Sequence, residues 1–193
     1  MNKINKIIFS VGLIIYLSSL FLYSNVMANE EASYDIVHKA DIYEIRHYSD
    51  RLVVEISKTS DNRSFRHLFN YISGENSSSE KIEMTVPVTQ TKKDNKFFMQ
   101  FFLPSAFNKE TAPAPNNLDI KINTVEEGYF AVITYSGRTT DKNFEKHLQI
   151  LKKKLLEDKI LIFGSPIRAT YNGPFTLPSF RRNEVMFRVD WKK

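Results

Sequence analysis

No cysteine occurs anywhere in the 193 residues, and tryptophan occurs once, at Trp191. Without thiols there is no disulfide framework, so the fold must rest on its hydrophobic core. Thiolate catalysis, iron–sulfur clusters and cysteine-ligated zinc are excluded for the same reason. The chain also lacks His-Glu-x-x-His, Gly-x-Gly-x-x-Gly and a Walker lysine, which removes the common zinc, dinucleotide and phosphate-loop chemistries. Charge of one sign is not concentrated. The formal net charge is +5 and the basic residues are scattered, so a nucleic-acid partner is not expected. Ser77-Ser78-Ser79 has no accompanying base or strained turn and reads as a flexible connection.

One long uncharged apolar run is present. Lys3 and Lys6 precede Ile7 to Tyr23, and Val26-Met27-Ala28 follows as a small-x-small cleavage site. Residues 1–28 therefore read as a signal peptide cut after Ala28. The run exceeds the usual signal core of about 7–15 residues and approaches the roughly 17 needed to span a bilayer, so an uncleaved anchor is the alternative. Either way the protein is expected to be exported, periplasmic or secreted, and to meet a membrane only through this segment if it is retained. No cysteine follows the run to carry a lipid anchor. The remaining 165 residues, 29–193, suffice for one domain with a core and carry a net charge of +3.

What the chain has in plenty is aromatic side chains, fifteen Phe and nine Tyr, of which thirteen Phe and seven Tyr fall in that domain. They suit a core, a pocket lining, or both. Two-residue alternation predicts strands at 41–48 and 51–58, with Ser49-Asp50 as the turn between them. Asp61 or Asn62 can cap a helix whose apolar stripe is Phe65, Leu68, Phe69 and Ile72, stopped by Gly74. Residues 81–88 alternate again: Ile82, Met84, Val86 and Val88 against Lys81, Glu83, Thr85 and Pro87. Pro87 cannot donate to a ladder and places this strand at an edge, an end or a bulge. Met84 is either core filler or a soft contact for a flat apolar guest.

Strands follow at 97–103, 118–126 and 129–136, with Glu127-Gly128 turning between the last two. Gly137, Thr140 and Asp141 introduce a second helix with Phe144, Leu148, Leu151 and Leu155 on one face and lysines near its C-terminal end. Segments 160–163, 166–171 and 184–191 complete the chain as strands. The order strand, strand, helix, strand, strand occurs twice, and the residues echo it: Phe65 and His67-Leu68 in one helix, Phe144 and His147-Leu148 in the other. The expected architecture is α+β, a distorted and mostly antiparallel β-barrel with two flanking helices, built from a duplicated unit. An apolar groove between the halves is the natural ligand site.

Several segments also resemble one family. Tyr43-Glu44-Ile45-Arg46-His47-Tyr48, residues 81–88, Phe102-Leu103-Pro104-Ser105, Ala169-Thr170-Tyr171-Asn172-Gly173-Pro174 and Arg181-Arg182-Asn183-Glu184-Val185 are similar to segments of the SOUL haem-binding proteins, in the same order over nearly the whole domain. The resemblance implies a single SOUL-like domain over 29–193 that holds haem or another tetrapyrrole non-covalently in an apolar groove. It implies His47 as a candidate axial ligand to haem iron, since a neutral imidazole suits that role. Met84 is then a candidate contact for the macrocycle. Arg168, Arg181 and Arg182 could pair with propionates or make structural ion pairs with Glu83 or Glu184. His67 reads as a surface residue and His147 as packing.

The expected function is that of an exported carrier, buffer or scavenger without chemistry of its own. Two other readings stay open: a promiscuous binder of flat hydrophobic molecules, and a hydrolase using Glu83 or Glu55 as a groove carboxylate of raised pKa.

Overall fold

The computed structural model describes residues 29–58 and 63–192. The leader read in residues 1–28 and the helix cap read at Asp61 or Asn62 lie outside them. Among the described residues the strands are β1 (Glu30–Glu31), β2 (Asp35–Lys39), β3 (Glu44–Tyr48), β4 (Arg51–Lys58), β5 (Thr85–Val86), β6 (Val88–Lys93), β7 (Lys96–Phe102), β8 (Ile120–Val125), β9 (Gly128–Tyr135), β10 (Leu161–Thr170) and β11 (Asn183–Asp190). Two helices, α1 (Ser64–Ile72) and α2 (Asp141–Glu157), separate β4 from β5 and β9 from β10.

Nine strands form one sheet in the order β2-β3-β9-β11-β10-β6-β7-β4-β8. Every neighbouring pair in it is antiparallel. The predicted hairpins at Ser49-Asp50 and Glu127-Gly128 do not form. β3 pairs with β9, and β4 pairs with β7 and β8. The two-residue link between β3 and β4 therefore joins strands six places apart in the ladder. In a flat sheet those strands would lie about 29 Å apart, whereas two residues span at most about 11 Å. The link from β8 to β9 imposes the same closure. The sheet must curl, and it does so as a half-barrel.

Alternation then assigns each strand an outer face under the helices and an inner face without them. Beneath α2 lie Ile45, Ala131, Ile133, Val185, Phe187 and Val189, packed on Leu148, Leu151 and Leu155. Beneath α1 lie Val54, Ile56, Met99, Phe101 and Ile120, packed on Leu68, Tyr71 and Ile72. A third cluster contains no helix residue: Tyr48, Phe130, Val132, Ala169 and Met186, with Tyr34, Val125, Ile167 and Tyr171 against it. Val125 from the edge strand β8 meets Tyr48 and Phe130 from near the other edge there, as the curl requires.

The second helix follows the sequence closely. Thr140 caps it, accepting from the Asn143 N–H at 3.2 Å, Asp141 opens its first turn and Lys154 lies in its last. The first helix differs. Ser64, Leu68, Tyr71 and Ile72 are its buried residues, while Phe65 and Phe69 are each 48 % exposed. A helical period fits either of two adjacent stripes here, and tertiary packing selected the one containing Tyr71, whose hydroxyl donates to the Pro113 carbonyl at 2.8 Å. Gly74 follows the helix at φ 115°, a left-handed conformation that suits glycine.

Residues 81–84 are extended but belong to no ladder. Their anchor is α1: the Ile82 N–H donates to the Ile72 carbonyl at 2.8 Å, and buried Ile82 joins the α1 cluster. Pro87 separates β5 from β6, as a residue without an N–H should. The two predicted segments 160–163 and 166–171 are one strand, β10, whose register against β11 shifts between Phe163 and Ile167, around Gly164 at φ 70°.

The contrast between α2's two faces gives a direct check. Leu151 is fully buried and Leu156 is 78 % exposed. Leu151→Ala should lower the urea unfolding free energy by about 2–5 kcal/mol, and Leu156→Ala should change it by no more than about 0.5 kcal/mol.

Candidate functional site

The inner face of the half-barrel is organised by Glu184, which is fully buried on β11. A carboxylate there must be paired, because an isolated buried charge is far too costly. Arg46 of β3, 2 % exposed, supplies two bonds to it, at 3.0 and 3.1 Å. The Tyr171 hydroxyl donates at 2.7 Å, Arg182 Nε at 3.0 Å and the Thr134 hydroxyl at 3.2 Å. Burial alone would lower the Arg46 pKa, but the charge and hydrogen bonds of Glu184 outweigh it and hold the guanidinium protonated. Burial first, and then the Glu184 charge, push the Tyr171 hydroxyl up.

The network extends to the start of the domain. Arg182 also forms a bidentate pair with Glu31 at 2.9 Å on each side. Tyr34 lies against Tyr48 with ring centroids 5.1 Å apart, and the Arg46 guanidinium sits 4.2 Å from the Tyr34 ring centre. Residues 30–34 thus form a strap tied to the inner face, and β1 pairs in parallel with β5.

Tyr48, Arg51, Phe102, Phe130 and Met186 fill the space that remains, and the cavity they leave is about 30 Å³. Ligand pockets typically measure about 300–1,000 Å³. Among the described residues, aromatic side chains and an arginine occupy most of the inner face. A larger cavity of about 420 Å³ opens at the rim, between the strap, the β3–β4 link and residues 102–107.

The residues singled out in the sequence are not brought together. His47 shares the α2 side of the sheet with Tyr43 and Ile45, half-buried, its ring 4.9 Å from that of Tyr129. Met84 is half-buried in the α1 cluster. Arg168 faces α2, bonded to Asp141 at 2.7 Å and 4.4 Å from the Phe144 ring centre. Arg182 makes the structural ion pair with Glu184, and Arg181 bonds the carbonyls of Pro174 and Thr176. His147 stacks on Tyr135 at 4.0 Å and donates from Nδ1 to the Asn143 carbonyl, a packing role. His67 is half-buried, not on the open surface, and meets Asn117 at 3.1 Å.

Of the two candidate bases, Glu83 is 82 % exposed beside Lys81, so it is not a buried groove carboxylate. Glu55 lies on the inner face and accepts from Gln100 at 2.7 Å and Asn123 at 3.1 Å. Arg46 and Arg51 went unremarked in the sequence. Their signal is a charge in register with inner-facing apolar positions of an alternating strand.

Proteins with this half-barrel and its two helices are already among solved structures. The C-terminal domain of EcmrR superposes with a TM-score of 0.59 at 13 % identity, covering 81 % of this chain and 98 % of that one. A protein described as a hydrolase from Listeria innocua superposes at 0.58 with 8 % identity, covering 77 % and 92 %. At such identities the likeness is one of fold. The family is settled by sequence: the model for the SOUL heme-binding proteins matches residues 29–188, and the chain belongs to that family. Heme-binding protein 2 of Mus musculus is 26 % identical over 174 residues, covering 82 % of this chain and 83 % of its own. Heme-binding protein 2 of Homo sapiens is 29 % identical over 157 residues, covering 74 % and 76 %.

Removing the central carboxylate should show how much rests on it. Glu184→Ala leaves buried Arg46 with Glu44 as its remaining carboxylate and strips Tyr171, Thr134 and Arg182 of their shared acceptor; it should cost about 3 kcal/mol of unfolding free energy, measured by chemical denaturation. Glu31→Ala, which cuts only the part-exposed outer pair with Arg182, should cost about 1 kcal/mol or less.

Proposed function

We propose that this protein binds haem or a related tetrapyrrole non-covalently, as an exported carrier, buffer or scavenger. Membership of the SOUL family over residues 29–188 carries the reading, and the relatives named above are heme-binding proteins. The structure supports a particular surface for it. Phe65 and Phe69 stack at 6.0 Å with their planes 13° apart, half-exposed on α1. A stacked, solvent-facing aromatic pair suits the face of a flat macrocycle. Met84 packs into the cluster beneath the same helix, and exposed Arg66 lies three residues from Phe69, within reach of a carboxylate substituent. The inner cavity of about 30 Å³ is too small for such a ligand.

His47 is the second candidate contact, as an axial ligand to the iron. It belongs to the α2 side of the sheet and the phenylalanine pair to the α1 side, so one macrocycle would meet one of them. Haem, once bound, supplies redox and axial-ligation chemistry of its own. The chain adds no evident base: Glu184 is saturated by four residues, Glu55 is held by two amides and Glu83 is solvated. Export rests on the character of residues 1–28. Descent of the two halves from one unit rests on their echoing sequences and on a strand order in which β3-β9-β11-β10 mirrors β8-β4-β7-β6.

Titration with ferric haem, followed at the Soret band, should give saturable binding. Phe65→Ala with Phe69→Ala should weaken it about tenfold or more if the macrocycle lies on α1. A low-spin spectrum lost in His47→Ala would instead move the site to β3. Absence of saturable binding would sink the haem reading. For export, N-terminal sequencing of the protein from its native envelope should begin at Asn29, whereas a chain retaining residues 1–28 identifies an anchor.

A further inference from the structure

The first half of β10 runs past its neighbour β6. Leu161 to Phe163 pair with β11 on one side, whereas β6 meets β10 only from Ile167 to Thr170. This overhang lies beside the C-terminal half of α2, and a tight turn joins the two: the Ile160 N–H donates to the Leu155 carbonyl at 2.8 Å. Between them opens a groove of about 430 Å³, walled by Leu156 of α2 and by Ile160, Leu161 and Ile162. Ile160 and Ile162 pack against the cluster beneath α2 and form its floor. Leu156 and Leu161 are 78 % and 64 % exposed. A single exposed leucine is ordinary on a protein surface. Two from different elements, walling one groove over an apolar floor, leave water against hydrocarbon that a ligand would cover.

The charged residues lining this groove are both cations, Lys152 and Lys153, and Gln149 is the remaining polar one. Gln149, Lys152, Lys153 and Leu156 stand at i, i+3, i+4 and i+7, so they share one stripe of α2. Lys152 belongs to none of the ion pairs among the described residues, and Lys153 has only an exposed contact of 3.9 Å with Glu157. The acids nearby are engaged. Glu157 also meets Lys154 at 3.4 Å, Asp158 accepts from the Tyr43 hydroxyl at 2.6 Å, and Glu145 accepts from Gln149. A lysine carries its charge on a flexible aliphatic stem, so it can lie along an apolar guest and reach an anion at the guest's end.

We propose that this groove is a binding site for a free fatty acid or a similar single-chain anionic amphiphile. The chain lies against Leu156, Ile160, Leu161 and Ile162, and the head group meets Lys152 and Lys153. The volume falls within the range of small-molecule sites, about 300–1,000 Å³. An ammonium is a point charge without a fixed fork, so the site reads the sign of the head group and not its shape. A bilayer offers the same two chemistries, but a single chain fills a recess between helix and strand that a bilayer surface would span. The groove belongs to α2 and β10 and the phenylalanine pair to α1, so this inference does not depend on tetrapyrrole binding.

The test is calorimetric titration of the intact protein with laurate, octanoate and dodecyltrimethylammonium, each below its micelle-forming concentration. Laurate should bind saturably. Octanoate, four methylenes shorter, should bind about tenfold or more weakly. So should dodecyltrimethylammonium, which has the same chain and the opposite charge. Leu156→Ala with Leu161→Ala should weaken laurate binding about tenfold, and both side chains are exposed enough for the variant to fold. Lys152→Gln with Lys153→Gln should erase the preference for the anionic head group. Equal affinity for laurate and octanoate, or for laurate and the cationic amphiphile, would overturn the proposal, and these comparisons need no substitution. So would absence of laurate binding, or binding unchanged in the leucine variant. Cosedimentation with phosphatidylcholine–phosphatidylglycerol vesicles without binding of monomeric laurate would overturn it in favour of a bilayer. Haem titration of the leucine variant should match that of the unaltered protein, which separates failure of this site from failure of the haem reading.

Discussion

The carboxylate of Glu184 is the constraint around which the inner half of this domain is arranged. A charge sealed from water must find its full complement of donors within the protein. Here they come from β3, β9, the segment after β10 and the residue just before β11. Arg182 then carries the pairing outward to Glu31, so the first residues of the domain are fixed by the same charge. Apolar packing under the helices gives the bulk of the stabilisation, but it is non-directional. The Arg46–Glu184 pair adds direction, because a fork of two donors on two oxygens tolerates one relative placement of its strands.

Closure of the sheet is the second constraint, and it decides where a ligand can go. Two-residue links hold β3 to β4 and β8 to β9 although neither pair shares a ladder. The resulting curl brings Arg51, Tyr48, Phe102 and Phe130 into contact and fills the interior. Little space remains on the inner face among the described residues, and the larger cavities open at the periphery.

Much of the fold was legible in the sequence because local rules agreed with tertiary ones. Thr140 and Asp141 announced α2, and Leu148, Leu151 and Leu155 were its buried stripe. The apolar runs at residues 52–56 and 129–133 gave strands of nearly the right span. Alternation survived even at Lys81–Met84, where Ile82 is buried, Met84 half-buried and Lys81 and Glu83 exposed without any ladder. Less of the candidate site was legible. Arg182 was weighed as a structural partner for Glu184 and is one, but Arg46 and Arg51 lay inside strand patterns as apparent surface charges. His47, Met84 and Arg168 were candidate contacts for one macrocycle, and the folded chain puts Met84 on the α1 side and the other two on the α2 side.

The sequence by itself determined the period of most elements, the start of α2, the stop of α1 at Gly74, the absence of thiol chemistry and membership of the family. Those properties depend on neighbours within a few residues, or on a matching order of segments, and both are written along the chain. Only the tertiary structure decided that Ser49-Asp50 joins strands at opposite ends of the ladder, that Phe65 and Phe69 face solvent, and that Arg51 ends among aromatic rings. Each of these depends on which residues distant in sequence come to lie within a few ångströms. Closing the sheet sets that pairing, and no local periodicity encodes it.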